Sequence, residues 1–338
     1  MVEIKTYTIV IPARNEEKYI SLCLNSIVNL NYPKEYIKVK VYDGKSDDKT
    51  QEIVEEYHAK HDFINLIINE RQTAPNAFNH GIENSNSDVL IILGAHSEMD
   101  SEYLNECNAA FENDEKIGCV GGLLENVYED PDSEAIGVAM SSSFGVGNVS
   151  FRTGDKEGFV DTVAFGAYKR EVFSKVGLFD AELTRNQDDE FNFRLLKNGY
   201  KIWLSKSIKA KYYVRAGFSK LWRQYYQYGY WKVFVNKKHK TVTTVRQLVP
   251  VIFVFGVFGG LLLCIISPIL FILYSAVLMS YLIGALFAAK RTKSKLLFKV
   301  VRSFLILHFS YGIGYLEGIL QFVILNKSPS TVNQKLSR

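Results

Sequence analysis

Cysteine is scarce in this chain of 338 residues, which contains only Cys23, Cys107, Cys119 and Cys264. No two of them form a Cys-x-x-Cys pair, so the sequence favours neither a disulfide framework nor a cysteine zinc site. Hydrophobic residues make up 47% of the chain and charged residues 22%, a balance that excludes wholesale disorder. We therefore expect a folded protein of roughly two domains, or one domain with an appendage.

Acidic residues are almost absent from the C-terminal third of the chain. Residues 217–338 carry 16 Lys and Arg but one acid, Glu317, whereas residues 1–216 carry 24 basic and 35 acidic residues. A uniformly basic nucleic-acid binder would not show this division, so we expect no nucleic-acid partner. The division favours an acidic soluble domain joined to a basic, apolar tail that suits an anionic membrane surface, and membrane lipids are therefore expected partners.

Two long uncharged runs occupy residues 248–266 and 269–289, and only two residues separate them. Each run is long enough to cross a hydrocarbon core of about 30 Å at about 1.5 Å per residue, so we expect a helical hairpin. A third run, 303–325, contains Glu317. Either this carboxylate faces a partner or a cavity, or the segment lies along the membrane interface.

The predicted organisation has four parts. They are a soluble domain at 1–216, a basic and aromatic interfacial segment at 217–247, membrane helices within 248–326, and a polar tail at 327–338. Basic residues on both sides of the hairpin place both flanks in the cytoplasm, and the N-terminus enters a strand with no signal peptide. We expect a multi-pass protein of the cell membrane with a cytoplasmic N-terminal domain, and Trp231 at the membrane interface.

Short strands alternate with helices along the first hundred residues. Strands are predicted at 7–11, 37–42, 63–68 and 88–93, and helices at 16–30, at 76–84, and through residue 60 from an N-cap at Ser46 or Asp47. This alternation predicts an α/β fold with a mostly parallel, Rossmann-like sheet. Ligands bind such sheets beyond the carboxyl ends of the strands.

Polar residues follow three of the predicted strands. The loops are Pro-Ala-Arg-Asn-Glu at 12–16, Asp-Gly-Lys-Ser-Asp-Asp at 43–48, and Gly-Ala-His-Ser-Glu at 94–98. Each loop alone is compatible with an ordinary turn or a helix cap. Their coincidence at one edge of the sheet predicts a ligand site there.

Motifs in a fixed order extend this pattern along the chain. They are Ile-Val-Ile-Pro-Ala-Arg-Asn-Glu at 9–16, Val-Tyr-Asp-Gly-Lys-Ser-Asp at 41–47, Phe-Gly-Ala-Tyr at 165–168, and Asn-Gln-Asp-Asp-Glu-Phe at 186–191. Through them the chain, over about residues 6–230, resembles glycosyltransferase family 2 with the GT-A fold. Within that family it is most similar to the ExoA-like succinoglycan-biosynthesis glycosyltransferases. The resemblance implies a GT-A catalytic domain that uses a nucleotide-sugar donor, followed here by hydrophobic membrane helices.

The resemblance also implies a donor pocket and a metal site. The implied donor-side residues are Pro12, Arg14, Glu16, Asp43 and Ala95, with Arg71 and Asn79 as candidates that equally suit ordinary surface positions. The family's Asp-x-Asp metal motif is replaced by Gly94-Ala95-His96, so His96 is the implied ligand of a divalent metal, Mn²⁺ or Mg²⁺. A nitrogen ligand favours Mn²⁺. Gly94 has no side chain for the ribose contact, for which Glu98 and Asp100 are possible substitutes, and a loop-capping role for His96 is the other possibility.

The acidic run at 185–190 matches the family motif that holds the catalytic base, which maps to Asp188. A carboxylate there would take the proton of the acceptor hydroxyl, and direct displacement would then give inversion in one step. The residues expected on the acceptor side are Gly166, Gln187, Asp189, Glu190, Arg223 and Gln224. The alternative interpretation is purely structural: the acids would be the solvated first turn of a helix, and Gly166 would allow a tight bend in a strand.

The sequence therefore predicts a membrane-anchored inverting glycosyltransferase. It would move a sugar from a nucleotide-sugar, with a UDP-sugar favoured, to a lipid-linked saccharide acceptor. The Gln-x-x-Arg-Trp motif of processive synthases is absent near 224–227, which favours one sugar per encounter. Two alternatives stay open: a polyprenyl-phosphate sugar synthase and, supported by Gly94, a non-catalytic membrane adaptor that binds a nucleotide-sugar.

Overall fold

A computed structural model describes residues 4–263, 265 and 267–328 of the chain. The chain divides into two compact units: unit 1 consists of Met1–Asn126 and Ser150–Tyr213, and unit 2 of Val127–Val149 and Val214–Arg338. The predicted domain boundary at 216 lies close to the end of unit 1. Residues 127–149, which the sequence analysis assigned to the N-terminal domain, group instead with the C-terminal part. Residues 264 and 266 of the first apolar run and residues 329–338 of the predicted polar tail lie outside the described residues.

Strands and helices alternate along the first part of unit 1, as predicted. The strands are, in chain order, β1 (Tyr7–Ala13), β2 (Ile37–Asp43), β3 (Ile64–Ile68), β4 (Val89–Ile92), β5 (Ser97–Met99), β6 (Ile117–Val127), β7 (Gly158–Val160), β8 (Ala164–Lys169) and β9 (Lys201–Tyr213). The α-helices of the whole chain are α1 (Ile20–Val28), α2 (Thr50–Lys60), α3 (Ala74–Glu83), α4 (Tyr103–Phe111), α5 (Pro131–Met140), α6 (Ser143–Val146), α7 (Ser150–Thr153), α8 (Arg170–Val176), α9 (Gln187–Lys197), α10 (Phe218–His239), α11 (Val249–Leu263), α12 (Pro268–Arg291) and α13 (Leu297–Gly318). A π-helical segment, Ile319–Ile324, continues α13.

The strands form one nine-stranded sheet in the order β3-β2-β1-β4-β8-β6-β9-β5, with β7 paired to β9. Strands β1 to β4 pair in parallel, with Ala13 opposite Asp43 and Val10 opposite Ile92. The loops that follow β1, β2 and β4 therefore leave the sheet at the same edge. Beyond β4 the pairings of β4 with β8, β6 with β8, and β5 with β9 are antiparallel. The predicted Rossmann-like α/β sheet is confirmed, and its antiparallel half lies outside the region where strands were predicted.

Apolar clusters lie on both faces of the sheet. Alternation along β1 places Ile9 and Ile11 in one buried cluster and Val10 in the other, because successive strand residues point to opposite faces. The first cluster includes Leu24 of α1, and the second includes Phe191 of α9. Burial on both faces explains why the β1 sequence is apolar almost without interruption.

Two helices begin later than predicted, because the residues before them bind the neighbouring loop. Helix α1 starts at Ile20 rather than 16, after a turn in which the amides of Tyr19 and Ile20 donate to the Glu16 carbonyl. Helix α2 starts at Thr50, and the Asp48 carboxylate accepts from the Thr50 amide at 2.9 Å. The prediction of Ser46 or Asp47 as the N-cap is wrong.

Three helical segments of unit 2 are long and apolar enough to cross a membrane. They are Val245–Leu262, Pro268–Arg291 and Leu297–Ile324, of 18, 24 and 28 residues. The first two are 11% and 6% buried, whereas the third is 50% buried. The first two thus leave many apolar side chains exposed, as expected of helices in contact with lipid.

Helix α13 packs closely on α10 at three glycines. A methyl group on Gly314 would overlap the Tyr226 carbonyl, and one on Gly229 would overlap the Tyr311 carbonyl. Gly318 lies one turn after Gly314, so the contact has the small-xxx-small spacing that lets two helix backbones approach. In the same contact the Tyr226 hydroxyl donates to Glu317. Glu317 therefore has a hydrogen-bond partner within unit 2, and whether its segment spans the membrane or lies along the interface stays a prediction.

The segment 127–149 is bound to the C-terminal helices by polar and aromatic contacts. Lys299 Nζ donates to Asp132 at 2.8 Å and Ser294 Oγ to Glu134 at 2.9 Å. The Phe144 ring centroid lies 5.0 Å from that of Phe304. These contacts are the physical reason why the segment belongs to unit 2.

Trp231 lies in the interior of unit 2. Its side chain is fully buried, with the Phe234 ring centroid 5.9 Å away and the Phe322 ring centroid 6.5 Å away. The predicted place at the membrane interface is therefore wrong. The aromatic residues of α10 serve packing between helices at this position.

Candidate active site

The loops after β1 and β2 are joined by backbone and side-chain hydrogen bonds. The Gly44 amide donates to the Ala13 carbonyl at 2.8 Å. The Asn15 amide donates to Ser46 Oγ at 2.9 Å, and Asn15 itself adopts a left-handed conformation with φ 54°. Two of the three loops predicted to converge therefore form one surface at the carboxyl edge of the sheet.

Asp43 ends β2 with a fully buried carboxylate. One oxygen accepts from the Ser46 hydroxyl at 2.5 Å, and the other accepts from the Ser46 amide at 2.9 Å and the Gln51 amide group at 2.6 Å. Three donors hold the carboxylate in one orientation, so its position is fixed before any ligand binds. Pro12 lies beside it in β1, opposite Tyr42, and Arg14 follows where β1 ends.

Glu16 and His96 meet across the gap between two loops. His96 Nδ1 lies 3.4 Å from Glu16 Oε1, and the side chains are 18% and 2% exposed. The Glu16 amide donates to Thr50 Oγ1 at 2.8 Å, which ties this loop to the start of α2. The His96 ring also contacts Tyr212 edge-on, with centroids 5.2 Å apart. The site thus pairs an imidazole nitrogen with a carboxylate oxygen.

This pair is a small donor set for a metal ion. Among the described residues no group of three or more His, Cys, Asp and Glu side chains is arranged to hold one. Of the two possible substitutes for the acid missing at Gly94, Glu98 accepts from the Tyr213 hydroxyl and lies 3.5 Å from Lys211 Nζ, and Asp100 is exposed. Mg²⁺ sites that also use substrate phosphates are held by only one or two protein carboxylates. The pair supplies one carboxylate and one imidazole nitrogen, a set that would suit an ion sharing its coordination with a diphosphate.

Gly94 lies against the Phe165 ring. A methyl group on Gly94 would lie 3.1 Å from Phe165 Cε1, so a larger side chain there would displace this ring. The next residue, Ala95, is 1% exposed and packs in the core. Its side chain therefore faces the protein interior, and a donor contact at Ala95 would have to come from its backbone.

Asp188 lies in the first turn of α9, where its side chain is exposed. One turn later the buried Asn192 accepts from the Tyr168 hydroxyl and donates to Thr162 Oγ1, each at 3.0 Å. Burial raises the pKa of Tyr168 well above its usual value, and the neighbouring Cys119 and Asp188 add to the rise. Asp188 is therefore close to Tyr168 on β8. Strand β8 pairs with β4, and the loop that contains Gly94 follows β4.

Glu190 has a different environment from Asp188. It is 3% exposed, and its two oxygens accept from Arg194 Nε at 2.7 Å and Arg194 NH2 at 2.8 Å. The same guanidinium donates to the carbonyls of Val176 and Leu178, both at 2.7 Å. Glu190 therefore positions the start of α9 through Arg194. Gln187 and Asp189, in the same turn, are half-buried.

Two of the predicted donor residues have defined partners within unit 1. The Asn79 side chain donates to the Phe179 carbonyl at 2.8 Å and accepts from the Phe179 amide at 2.9 Å. This arrangement gives Asn79 a structural role. Arg71 is exposed in the loop after β3, with NH1 3.2 Å from Asn76 Oδ1.

The predicted acceptor-side residues are divided between the units. Gly166 is buried in β8, where a methyl group would lie 2.8 Å from the Tyr168 ring and 2.9 Å from Cys119 Sγ. Packing therefore requires this glycine. Arg223 and Gln224 lie on α10 of unit 2, and Gln224 Nε2 donates to the Tyr228 hydroxyl at 2.9 Å. Their acceptor roles stay predictions.

Sequence reasoning missed Arg152, a residue of α7. Its guanidinium carbon lies 5.7 Å from the centroid of Tyr212, the ring that contacts His96. Its NH1 atom is buried without a hydrogen-bond partner in the structure. Residues 150–153 carry no motif. Arg152 and His96 are near each other only because the long strand β9 brings Tyr212 between them.

The fold is of the GT-A type. Residues 8–177, about half of the chain, match the sequence profile of Glycosyl transferase family 2. The chain belongs to this family, as predicted, and it is a glycosyltransferase.

Two curated relatives match most of the chain. Over 323 residues it is 31% identical to the dolichyl N-acetyl-alpha-D-glucosaminyl phosphate 3-beta-D-2,3-diacetamido-2,3-dideoxy-beta-D-glucuronosyltransferase of Methanococcus voltae, covering 93% of this chain and 97% of the relative. It is 28% identical over 262 residues to the succinoglycan biosynthesis protein ExoA of Rhizobium meliloti, covering 75% and 77% of the two chains. The resemblance predicted from the motifs is therefore confirmed.

A solved structure supports the fold. The mannosyltransferase PcManGT from Pyrobaculum calidifontis, in complex with GDP-Man and Mn²⁺, matches with a TM-score of 0.63 and 17% identity. The match covers 93% of this chain and 88% of that one. The predicted GT-A architecture is confirmed, with three C-terminal helices long and apolar enough to span a membrane.

Proposed function

We propose that this glycosyltransferase moves a sugar from a nucleotide-sugar, with a UDP-sugar expected, to a saccharide carried on a membrane lipid. The name of the Methanococcus voltae relative, which aligns with nearly the whole chain, includes a dolichyl-linked N-acetylglucosaminyl phosphate. An acceptor of this kind is confined to the membrane, and three apolar helices would hold the enzyme beside it. Anchoring of both partners limits their search to two dimensions and fixes their orientation.

On the donor side, the fixed carboxylate of Asp43 would accept from the base or ribose of the nucleotide, with Pro12 and Arg14 beside it. The Glu16–His96 pair is the proposed site of a divalent ion, and the imidazole nitrogen favours Mn²⁺. Such an ion would neutralise the charge that develops on the diphosphate as it leaves. The unpartnered nitrogen of Arg152 supplies a second positive charge nearby.

On the acceptor side, Asp188 is the proposed base. As the acceptor hydroxyl oxygen bonds to the anomeric carbon, the bond from that carbon to the diphosphate oxygen breaks, and the hydroxyl proton passes to the Asp188 carboxylate. A single displacement on the face opposite the leaving group inverts the anomeric configuration. The Arg194–Glu190 pair keeps the first turn of α9 in place for this step.

The proposed orientation has unit 1 in the cytoplasm. Helix α12 ends at Lys290 and Arg291, and further basic residues follow before α13. Basic residues that flank a membrane hairpin remain on the cytoplasmic side. Nucleotide-sugars would then reach the site directly from the cytosol.

The Glu16–His96 pair at the sheet edge is the observation that carries this proposal. The full chain in detergent should be stabilised against heating by one class of nucleotide-sugar, more so with Mn²⁺. His96→Asn should remove the additional thermal stabilisation that Mn²⁺ provides. His61→Asn, at the far end of α2, is the matched control and should retain it. Arg152→Met should weaken donor binding about tenfold, because one contact to the diphosphate charge is lost.

Product analysis distinguishes the alternatives. A glycosidic bond to a lipid-linked saccharide supports the proposal. A sugar phosphodiester would instead show a polyprenyl-phosphate sugar synthase, and a long polymer would show a processive synthase. If no donor is transferred or hydrolysed with any metal although one of them binds, the chain is a nucleotide-sugar-binding adaptor and the proposal is wrong.

A further inference from the structure

We propose that a cavity within unit 2 binds the phosphate and the first isoprenoid units of the lipid that carries the acceptor saccharide. This inference rests on the proposed function and adds to it a place for the lipid. The cavity, of about 780 Å³, lies between the segment 127–149 and the last turns of α12. It is open on one side, where Phe287 is 57% exposed, and its volume is within the usual range for a small-molecule site.

The two walls of the cavity differ in chemistry. One wall carries the hydroxyl groups of Ser141, Ser142 and Ser143, and the other is the apolar surface of Gly284 and Phe287 on α12. Hydroxyl groups donate to phosphate oxygens, and the apolar wall suits a hydrocarbon chain. The cavity thus combines the two properties that a phosphorylated lipid requires.

Arg291 supplies the positive charge at the end of this cavity. It is the last residue of α12, and its guanidinium carbon lies 4.4 Å from the centroid of the Phe287 ring, which also lines the cavity. Stacking on Phe287 restricts the long side chain and directs it along the wall. None of the residues that line the described cavity is acidic, so a phosphate would meet no opposing charge there.

The wall that contains the serines is held in place by hydrogen bonds to residues outside the cavity lining. His308 Nε2 lies 2.9 Å from the Phe144 carbonyl, and His308 Nδ1 lies 2.8 Å from the Tyr281 hydroxyl of α12. Asp130 caps α5 by accepting from the amides of Asp132 and Ser133. The cavity is therefore preformed, and a ligand would enter it without ordering new backbone.

A second cavity lies on the same face of α12. It has a volume of about 410 Å³ and is walled by apolar residues of α11 and α12, including Phe253, Leu273 and Val277. Val277 and Gly284 are seven residues apart, so they lie on one stripe of the helix, about 10 Å apart at about 1.5 Å per residue. A single isoprenoid chain with its phosphate at Arg291 would follow this stripe toward the middle of the span. This geometry favours a one-chain lipid phosphate over a two-chain phospholipid.

The test measures lipid binding by the full chain, separately from sugar transfer. Long-chain polyprenyl phosphate should raise the melting temperature of the detergent-solubilised protein, and the uncharged polyprenol should raise it less. Arg291→Gln should weaken polyprenyl phosphate binding about tenfold. Lys290→Gln, which removes the same charge one residue earlier and outside the cavity lining, is the matched control and should bind as the wild type does.

A second variant tests the cavity rather than the charge. Gly284→Leu should fill it, because a methyl group on Gly284 already lies 3.5 Å from the Phe144 ring. This variant should lose polyprenyl phosphate binding and keep stabilisation by the nucleotide-sugar, which shows that unit 1 remains folded. Equal losses in the Lys290 and Arg291 variants, or equal binding of phosphate and alcohol, would overturn the inference. Binding without any sugar transfer would leave it standing and refute the proposed function instead.

Discussion

Two acids in the first turn of α9, Asp188 and Glu190, have different proposed roles, and matched substitutions should distinguish the chemical role from the structural one. Glu190 is 3% exposed and holds Arg194 by two hydrogen bonds, whereas Asp188, in the same first turn, is exposed. Glu190→Gln and Asp188→Asn make the same change in charge with almost no change in volume. We expect the first to reduce stability and the second to abolish transfer.

The size of each effect follows from burial and from chemistry. Breaking a buried ion pair by neutralising one partner costs about 3–5 kcal/mol, and glutamine retains one of the two hydrogen bonds, so we expect about 3 kcal/mol for Glu190→Gln. In a unit of this size that loss lowers the melting temperature by about 6–12 °C. Loss of the general base at Asp188 should lower turnover by about 10²–10⁴-fold, with the melting temperature unchanged.

The assay is melting in detergent together with the rate of sugar transfer at saturating nucleotide-sugar. Asp189→Asn, in the same turn and half-buried, is the control for loss of negative charge near the site. If Asp188→Asn retains near wild-type turnover, the base has been misassigned. If Glu190→Gln melts as the wild type does, the pairing with Arg194 contributes no stability and its positioning role is refuted.

Two further outcomes can be measured by melting experiments. Burial alone would raise the pKa of Asp48, but hydrogen bonds from Thr50 outweigh burial and lower the pKa below its usual value. The ionised Asp48 carboxylate therefore stabilises the fold fully above about pH 3.9, the pKa in the unfolded chain. This stabilisation is lost as the pH falls through the lower pKa of the folded protein. The gap in melting temperature between the wild type and Asp48→Asn should be constant from pH 8 to pH 5 and shrink below about pH 4, and a gap that widened in acid would contradict this assignment. Gly314→Ala should destabilise the contact between α10 and α13 by about 1–3 kcal/mol through overpacking. Gly259→Ala, with no atom within 4 Å of the added methyl group, is the control and should be neutral. Equal effects of the two substitutions would show that the close approach of the helices is unimportant for stability.

Periodicity and loop chemistry predicted the parallel half of the sheet well. Each of the first four strands forms within two residues of its expected bounds, because apolar runs between polar loops leave few alternatives. Helix starts were less predictable. Asp48 acts two residues ahead of α2, and the Ser46 hydroxyl binds Asp43 instead of capping the helix. Such competition between partners depends on the tertiary structure.

The candidate site was predictable only where its residues share a motif. Strand order places Asp43 and His96 at one edge, and the sequence shows this because the strands are parallel. Arg152 was not predictable, since its proximity to His96 arises through Tyr212 at the end of an antiparallel strand. Likewise, no sequence pattern distinguishes Glu190, which is buried on Arg194, from its exposed neighbour Asp188.

The interruption of unit 1 at 127–149 has a practical consequence for anyone who wishes to study the catalytic part by itself. The polypeptide passes between the two units three times, after Asn126, Val149 and Tyr213. A truncation at 213 would leave α5 and α6 attached to the shortened protein but stripped of α13, which covers Phe144. A shortened version that also replaces 127–149 with a brief polar connection should therefore stay in solution where the simple truncation precipitates.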